Sequence, residues 1–179
     1  MTIRELWRER FGIDAPRKIV CVGLNYGDHA AEGGREAPLE PLLFAKLPTS
    51  LIGPGEPIVL PPEDDHVDSE AELAVVIGRV GRRIPREAAL EHVAGYTVAN
   101  DVSARTLQCN DGDFLFDVPT VIAHASAAFT LEPGDLILTG TPSGVGVYRD
   151  PPVAMQSGDL VEVEVERIGV LANPVVAER

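Results

Sequence analysis

Two glutamates, Glu70 and Glu72, stand one residue apart in "VDSEAELAVVIG" (67–78), at the head of a run that then becomes apolar. In a β-strand, residues i and i+2 project from the same face, so the two carboxylates lie side by side, with Ala74 and Val76 continuing their row inward. Carboxylates about 7 Å apart repel each other unless a cation lies between them. Oxygen ligands in this arrangement favour a hard divalent ion, Mg²⁺, Mn²⁺ or Ca²⁺, over zinc.

The Glu-x-Glu spacing also fits a solvent-facing row on an edge strand. Glu162 and Glu164 in "VEVEVER" have the same spacing, and we interpret them as solvated. Other polar residues distinguish the earlier pair. A third acid, Asp101, ends the predicted strand "GYTVAND". After the first predicted strand, "DHAAEGG" predicts a helical turn that places His29 and Glu32, three residues apart, on one face.

Short strands and many turns must position these residues. Aromatic residues make up only 5% of the chain, which contains 17 Gly and 15 Pro, a composition typical of a β-rich α+β fold. Four consecutive apolar residues over 19–22 predict a buried strand, and further strands are predicted over 70–78, 96–101 and 160–166 and in "DLILTG". Residues 41–65 resemble edge strands cut by Pro and Gly.

Three helices are predicted. The first covers residues 3–11, the second is "PREAALEHVAGY" (85–96), closed by Gly95, and the third begins near Pro119. The chain shows neither an internal repeat nor a low-complexity linker.

The net charge of −13 argues against nucleic acid and anionic membranes as partners and favours a small-molecule substrate, with a bound cation to offset the acidity. The opening "MTIRELWRER" lacks the apolar core of a signal peptide, and no apolar run is long enough to span a bilayer. Cys21 and Cys109 are far apart and not in metal-ligand spacing. We therefore expect reduced thiols and a cytoplasmic protein.

Blocks along nearly all of the chain from Lys18 onward resemble the fumarylacetoacetate hydrolase family. They are "KIVCVGLNYGDHAAE", "LFAKLPTSLIGPGEPIVLP", "VDSEAELAVVIGR", "VAGYTVANDVSARTLQ", "LEPGDLILTGTPSGVG" and "GDLVEVEVERIGVLANPVV". Their order and the joint occurrence of "VANDVSAR" and "TGTPSGVG" carry the resemblance. It implies a mixed β-sandwich roll with a few short helices, a single catalytic domain over 18–179 after a short segment 1–17, and a homodimer.

The resemblance also implies roles for the polar residues. Glu70, Glu72 and Asp101 match the ligands of a Mg²⁺ or Mn²⁺ ion. His29 matches the general base that activates water, and Glu32 matches its partner.

Three further residues match family positions that lie around the substrate: Lys46 in "FAKLP", Gln108 in "ARTLQ" and Thr141 in "TGTP". The implied function is metal-dependent hydrolysis of a carbon–carbon bond in an acylpyruvate or fumarylacetoacetate-like keto acid. The alternative is an isomerase or decarboxylase acting on 2-hydroxyhepta-2,4-dienedioate or oxaloacetate, because the same enolate without water attack supports those reactions.

The family pattern breaks near Gln108 and Cys109. There "SARTLQ" runs straight into "CNDGDFLFDVP", whereas the family has a longer segment with a lid, a basic residue and a β-hairpin. Loss of a hairpin would leave unpaired sheet edges, which favours residues omitted from the chain over a true truncation. A true truncation would make the protein a lid-less, non-catalytic module that binds metal and keto acid.

The remaining candidates carry weaker signals. His66, His92 and His124 have no partners at ligand spacing and are interpreted as ordinary surface or core histidines. "GTPSGVG" lacks the Lys-Ser/Thr of a phosphate-binding loop. Asp68 fits either a supporting acid behind the metal ligands or a residue that faces water.

Overall fold

The computed structural model describes residues 3–23, 25, 39–105, 116–128 and 130–178. The α-helices are α1 (Ile3–Phe11) and α2 (Val118–Ala128). The strands are β1 (Ile19–Val22), β2 (Leu43–Lys46), β3 (Ile58–Leu60), β4 (Val67–Asp68), β5 (Ala71–Ile77), β6 (Val93–Asn100), β7 (Ser103–Ala104), β8 (Leu136–Leu138), β9 (Leu160–Val165) and β10 (Gly169–Ala177). Short 3-10 helices cover Pro48–Ser50, Arg86–His92 and Gly146–Tyr148.

The largest sheet in the described part of the chain has five strands in the order β2-β1-β8-β5-β6. β1 runs parallel to β8 and antiparallel to β2, whereas β5 is antiparallel to both β8 and β6. A second sheet has the order β3-β10-β9, and β4 pairs with β7 in a two-stranded ladder. The Pro- and Gly-interrupted segment supplies β2 and β3, both of which are edge strands, as predicted.

Both faces of the five-stranded sheet are covered, which explains why β1 is apolar at every position. On one face Val20 and Val75 pack against α2 and the 3-10 helix over 86–92. On the other face Ile19, Cys21 and Ala74 pack with Trp7 of α1, whose indole N–H donates to the Gly134 carbonyl at 2.9 Å. The strand and helix content is that of the predicted β-rich α+β class.

The first and third of the predicted helices are present in the structure. α1 covers 3–11, and α2 begins beside Pro119. Asp117 caps α2, because its carboxylate accepts a hydrogen bond from the backbone N–H of Thr120 at 3.0 Å. That hydrogen bonding, first from the Thr120 side chain, lowers the pKa of Asp117. No described helix has the length and apolarity required to cross a bilayer.

The prediction of a helix closed by Gly95 was wrong. Residues 86–92 form a 3-10 helix, and Gly95 lies inside β6, opposite Val76 of β5. Pairing with β5 extends β6 back to Val93, where β-branched and aromatic residues suit a pleated strand better than a helix. The predicted strands over 70–78 and 160–166 appear as β5 and β9, and Glu162 and Glu164 are exposed as expected.

Candidate metal centre

The paired strands β5 and β6 bring three acids together. Their register sets Ala71 opposite Asn100, which places Glu70, Glu72 and Asp101 at the same end of the ladder. The backbone N–H of Asp101, just after β6, donates to the carbonyl of Glu70, just before β5, at 2.9 Å. This hydrogen bond fixes the two residues relative to each other. One carboxylate oxygen from each acid lies within 4.8 Å of the others. The three side chains belong to residues that are only 9%, 2% and 2% exposed.

Burial of so many carboxylates disfavours their ionised forms. Burial raises the pKa of Glu72 well above its ordinary value, and the charges of Asp101 and Glu70 raise it further. Burial likewise raises the pKa of Glu70, although the Arg105 guanidinium opposes the effect. A cation between the acids would remove this cost.

Specific donors hold two of the acids in place. Glu72 Oε2 accepts a hydrogen bond from the backbone N–H of Gly140 at 2.7 Å, just after β8. A side chain at position 140 would lie 2.8 Å from Asn25 Cβ, and its φ of +95° also favours glycine. Glu70 Oε1 accepts from Arg105 Nη2 at 2.5 Å.

Asp68 anchors the site from behind and does not face water. It is 4% exposed, and its carboxylate accepts hydrogen bonds from the backbone N–H groups of Gly146 and Val147 at 2.9 and 3.0 Å. Arg105 Nη2 lies 2.9 Å from Asp68 Oδ2, so the guanidinium bridges Asp68 and Glu70. Of the two interpretations of Asp68, the supporting acid is the one that matches the structure.

Lys46 reaches the third acid from the edge strand β2. Its ammonium contacts Asp101 Oδ1 and donates to the Val102 carbonyl at 2.6 Å. Asp101 Oδ2 is buried and accepts no hydrogen bond from any residue that the structure describes. A buried, unpartnered carboxylate oxygen beside two other carboxylates fits a hard divalent cation.

The other predicted site residues are placed less completely. The Thr141 hydroxyl donates to the Ala71 carbonyl at 3.1 Å and lines a cavity of about 380 Å³ that also touches Asp68 and Arg149. The three clustered acids are not among the lining residues of that cavity. The remaining predicted residues, His29, Glu32 and Gln108, together with Cys109, lie outside the described residues.

Cys21 lies in β1 and is fully buried. Burial raises the pKa of its thiol, and the negative charges of Asp101 and Glu72 raise it further. The thiol therefore stays protonated near neutral pH and behaves as a small apolar side chain.

Two of the histidines have partners away from the acid cluster. His66 Nδ1 lies 2.6 Å from Asp65 Oδ1, and His92 Nδ1 lies 3.0 Å from the Arg79 carbonyl.

The family profile of the fumarylacetoacetate (FAA) hydrolase C-terminal domain matches residues 18–114 and 109–176 of this chain. The chain belongs to the fumarylacetoacetate hydrolase family. The Xenopus laevis oxaloacetate tautomerase fahd2, mitochondrial, is 39% identical over 213 residues, spanning 92% of this chain and 67% of that protein. The human oxaloacetate tautomerase FAHD2A, mitochondrial, is 38% identical with nearly the same coverage, 92% and 68%.

Solved structures of the family share the fold. A putative HpcE protein from Mycobacterium smegmatis superimposes with a TM-score of 0.83 at 33% identity, covering 92% of this chain and 76% of that one. Fumarylpyruvate hydrolase from Pseudomonas aeruginosa, in complex with Mn²⁺ and pyruvate, gives 0.81 at 26% identity and 91% of each chain. The predicted family and fold class are thereby confirmed.

The comparisons also reflect the break in the family pattern. The alignment with the frog relative is 213 residues long but covers 92% of the 179 residues of this chain, about 165, so about 48 of its positions (213 minus 165) have no counterpart here. The two matches to the family profile overlap at residues 109–114, next to the predicted break at Gln108 and Cys109.

Proposed function

We propose that this protein is a divalent-metal-dependent enzyme that interconverts the keto and enol forms of oxaloacetate or a closely related small α-keto acid. The buried cluster of Glu70, Glu72 and Asp101 carries the proposal, because three adjacent carboxylates without a cation would be unfavourable. The relatives that are named oxaloacetate tautomerases support the choice of substrate.

Glu70, Glu72 and Asp101 would hold the ion, Mg²⁺ or Mn²⁺. The Mn²⁺ and pyruvate named for the Pseudomonas structure support both the ion and the substrate class. When bound, such an ion supplies electrostatic stabilisation of negative charge that develops on a keto-acid oxygen. With only these three protein ligands, coordination positions would remain open for the substrate.

The chain's own residues prepare the site for this chemistry. Gly140 N–H and Arg105 hold the carboxylates of Glu72 and Glu70 by one hydrogen bond each. Tautomerisation also needs a group that accepts and returns a proton, and we propose His29, oriented by Glu32, for that role. Lys46, Gln108 and Thr141 are proposed to contact the substrate, and Lys46 supplies positive charge for a substrate carboxylate.

Hydrolysis of a carbon–carbon bond in an acylpyruvate is the second candidate. It is favoured by the Pseudomonas fumarylpyruvate hydrolase, which matches this chain over 91% of its own length. In that reaction His29 would take a proton from an attacking water. Tautomerisation ranks first because the relatives with that activity are 38–39% identical, against 26% for the hydrolase, and because it requires no positioned water.

The test follows the ultraviolet absorbance of the oxaloacetate enol after addition of the protein with Mg²⁺, with Mn²⁺ or with EDTA. We expect metal-dependent acceleration of enol disappearance, and its loss in Glu72→Gln. A parallel assay measures loss of fumarylpyruvate. If neither substrate reacts faster with metal-loaded protein than with buffer and metal alone, the enzymatic proposal fails. Binding of oxalate without turnover would then identify a non-catalytic module.

A further inference from the structure

Among the described residues, two positively charged side chains contact the acid cluster, those of Arg105 and Lys46, and they are held differently. The Arg105 side chain is 15% exposed and is fixed between Asp68 and Glu70, both of which are buried. The Lys46 side chain is 29% exposed, lies at the end of an edge strand, and reaches Asp101 at the end of a flexible four-carbon chain. Lys46 can therefore leave its partner more easily than Arg105 can.

The ammonium of Lys46 contacts Asp101, one of the three acids that a metal ion would need as ligands. Asp101 Oδ1 is in contact with Lys46, while an oxygen of the same carboxylate is within 4.8 Å of Glu70 and Glu72 oxygens. A divalent ion bound by all three acids would lie within a few ångströms of the ammonium. Two cations at that separation repel each other strongly in a site shielded from water.

We propose that Lys46 is an internal counter-ion of the metal-free site, and that a bound divalent metal displaces it from Asp101. The inference rests on the proposed metal function of the three acids. In the metal-free protein the ammonium partly neutralises the cluster. With metal present, the ion takes over this role and the ammonium moves away from Asp101.

The displaced ammonium gains a different role. The Val102 carbonyl, its second partner, lies next to Asp101 in the chain, so Lys46 stays close to the site when it leaves the carboxylate. A freed ammonium beside a metal with open positions can pair with the carboxylate of a keto acid. Metal binding would thus create the anion-binding group, and substrate would bind productively only after metal.

The chain contains two lysines, Lys46 and Lys18, and this makes the test sharp. Lys18 is the matched control, because its side chain is 30% exposed, against 29% for Lys46, and it pairs with Glu132 and the fully buried Asp135, neither of which belongs to the acid cluster. Wild-type protein is acetylated for short times with an amine-reactive reagent, in EDTA or in saturating Mn²⁺, and each lysine is quantified by peptide mass spectrometry. We expect Lys46 to react several-fold faster with Mn²⁺, and Lys18 to react equally in both.

Calorimetric titration with Mn²⁺ completes the experiment. Lys46→Met should bind Mn²⁺ several-fold more tightly than wild type, whereas Lys18→Met should bind it with wild-type affinity. If wild-type protein binds Mn²⁺ but the acetylation rate of Lys46 does not rise, the displacement is wrong while the metal site stands. If wild-type protein binds no Mn²⁺, the proposed metal function itself fails.

Discussion

Burial of Glu72 disfavours its ionised form, whereas the proposed role of Glu72 as a metal ligand requires that form. The residue is 2% exposed, and its pKa is raised because burial and two neighbouring acids penalise its charge. A carboxylate in such a place destabilises a metal-free protein when ionised and becomes favourable once a cation is bound. Removing its charge should therefore separate metal binding from folding.

We expect Glu72→Gln to lower Mn²⁺ affinity by more than the roughly 10–100-fold that loss of an outer partner costs, since a direct ligand is removed. The melting temperature of the metal-free variant should equal or exceed that of wild type, because a buried charge is gone. Titration calorimetry and thermal melts measure the two quantities. Glu162→Gln is the control, since Glu162 has the same spacing from Glu164 but is exposed. Unchanged affinity in Glu72→Gln would return the pair to a structural role.

The raised pKa values of Glu70 and Glu72 predict a pH dependence of metal binding. Above about 4.5, the ordinary value, the folded metal-free protein keeps protons on these groups that the unfolded chain has lost. Their contribution to the free energy of unfolding therefore falls as pH rises toward the raised values. Bound metal displaces those protons, so the increase in melting temperature caused by Mn²⁺ should grow as the pH rises above 4.5, the ordinary value. A pH-independent increase would contradict this, and Glu72→Gln should show a weaker trend.

His29→Ala should separate proton transfer from metal binding. The variant should keep wild-type Mn²⁺ affinity, because His29 is not among the proposed ligands, and should lose roughly a hundredfold or more in turnover, the usual contribution of a general base. Titration calorimetry and the enol assay test the two parts. Near-normal turnover would remove His29 from the mechanism.

At the scale of elements, Asp68 connects three segments that are far apart in the chain. It lies in β4, accepts hydrogen bonds from Gly146 and Val147 of the third 3-10 helix, and pairs with Arg105 just after β7. A side chain on Gly146 would meet the Val153 carbonyl at 2.0 Å, so the backbone at this position approaches too closely for any other residue. These contacts hold Arg105 in the position from which it reaches Glu70.

Asp68→Ala should reduce the free energy of unfolding by about 3 kcal/mol, because it removes the acceptor of three backbone N–H donors, those of Ser69, Gly146 and Val147, and leaves the partly buried Arg105 guanidinium with one carboxylate partner fewer. Urea denaturation measures the change. The control is Asp14→Ala, which removes an ion pair with Arg8 whose side chains are 63% and 65% exposed and which should change stability by less than about 1 kcal/mol. Equal effects of the two substitutions would show that Asp68 is not an anchor.

The sequence predicted the elements better than the partnerships between them. Period-two and continuous apolar patterns located β1, β5 and β9, and the Glu-x-Glu spacing on β5 led to the acid cluster. The pattern over 85–96 misled because pairing with β5, a tertiary effect, decides that Val93 and Gly95 are in a strand.

The roles of Arg105 and Gly140 could not be read from local patterns, and for Asp68 the sequence left a supporting acid and a water-facing residue as equal alternatives. Each depends on which strands become neighbours and in what register. Arg105 reaches Glu70 because β4 pairs with β7, and Gly140 reaches Glu72 because β8 lies beside β5. Strand order is set by the whole chain, so spacing within one segment carries no signal for it.

At the scale of the whole molecule, the candidate ligands and the break in the family pattern are separate in the chain. Glu70, Glu72 and Asp101 all precede residues 109–114, where the two family matches meet. The three candidate ligands therefore do not depend on the residues that the relatives carry there. Reactions that depend on closure over the substrate are the ones that their absence should affect.

The intact mass of the purified protein should first be measured by mass spectrometry. A mass of 19.1 kDa shows that the additional residues of the relatives are absent. For such protein the proposed function predicts Mn²⁺ binding and measurable oxaloacetate tautomerisation, whereas the lid-less module considered from the sequence would bind Mn²⁺ without turnover. Hydrolysis of fumarylpyruvate should be much slower than tautomerisation, since water attack requires a closed and ordered site. Both assays are run on the same sample. Hydrolysis as fast as tautomerisation would show that no inserted segment is needed for closure.

The strand order β2-β1-β8-β5-β6 has a consequence for how the chain assembles on the ribosome. The pairs β1–β2 and β5–β6 are local and can form early, but β8, which joins them, is synthesised more than a hundred residues after β1. Until β8 has been synthesised, β1 and β5 each expose an unpaired apolar edge, and such edges promote aggregation. Lys46 lies in β2, in the first early pair, whereas the three acids lie in or directly beside β5 and β6, the second early pair. The ammonium and the carboxylates therefore come together only when β8 is inserted between the two pairs.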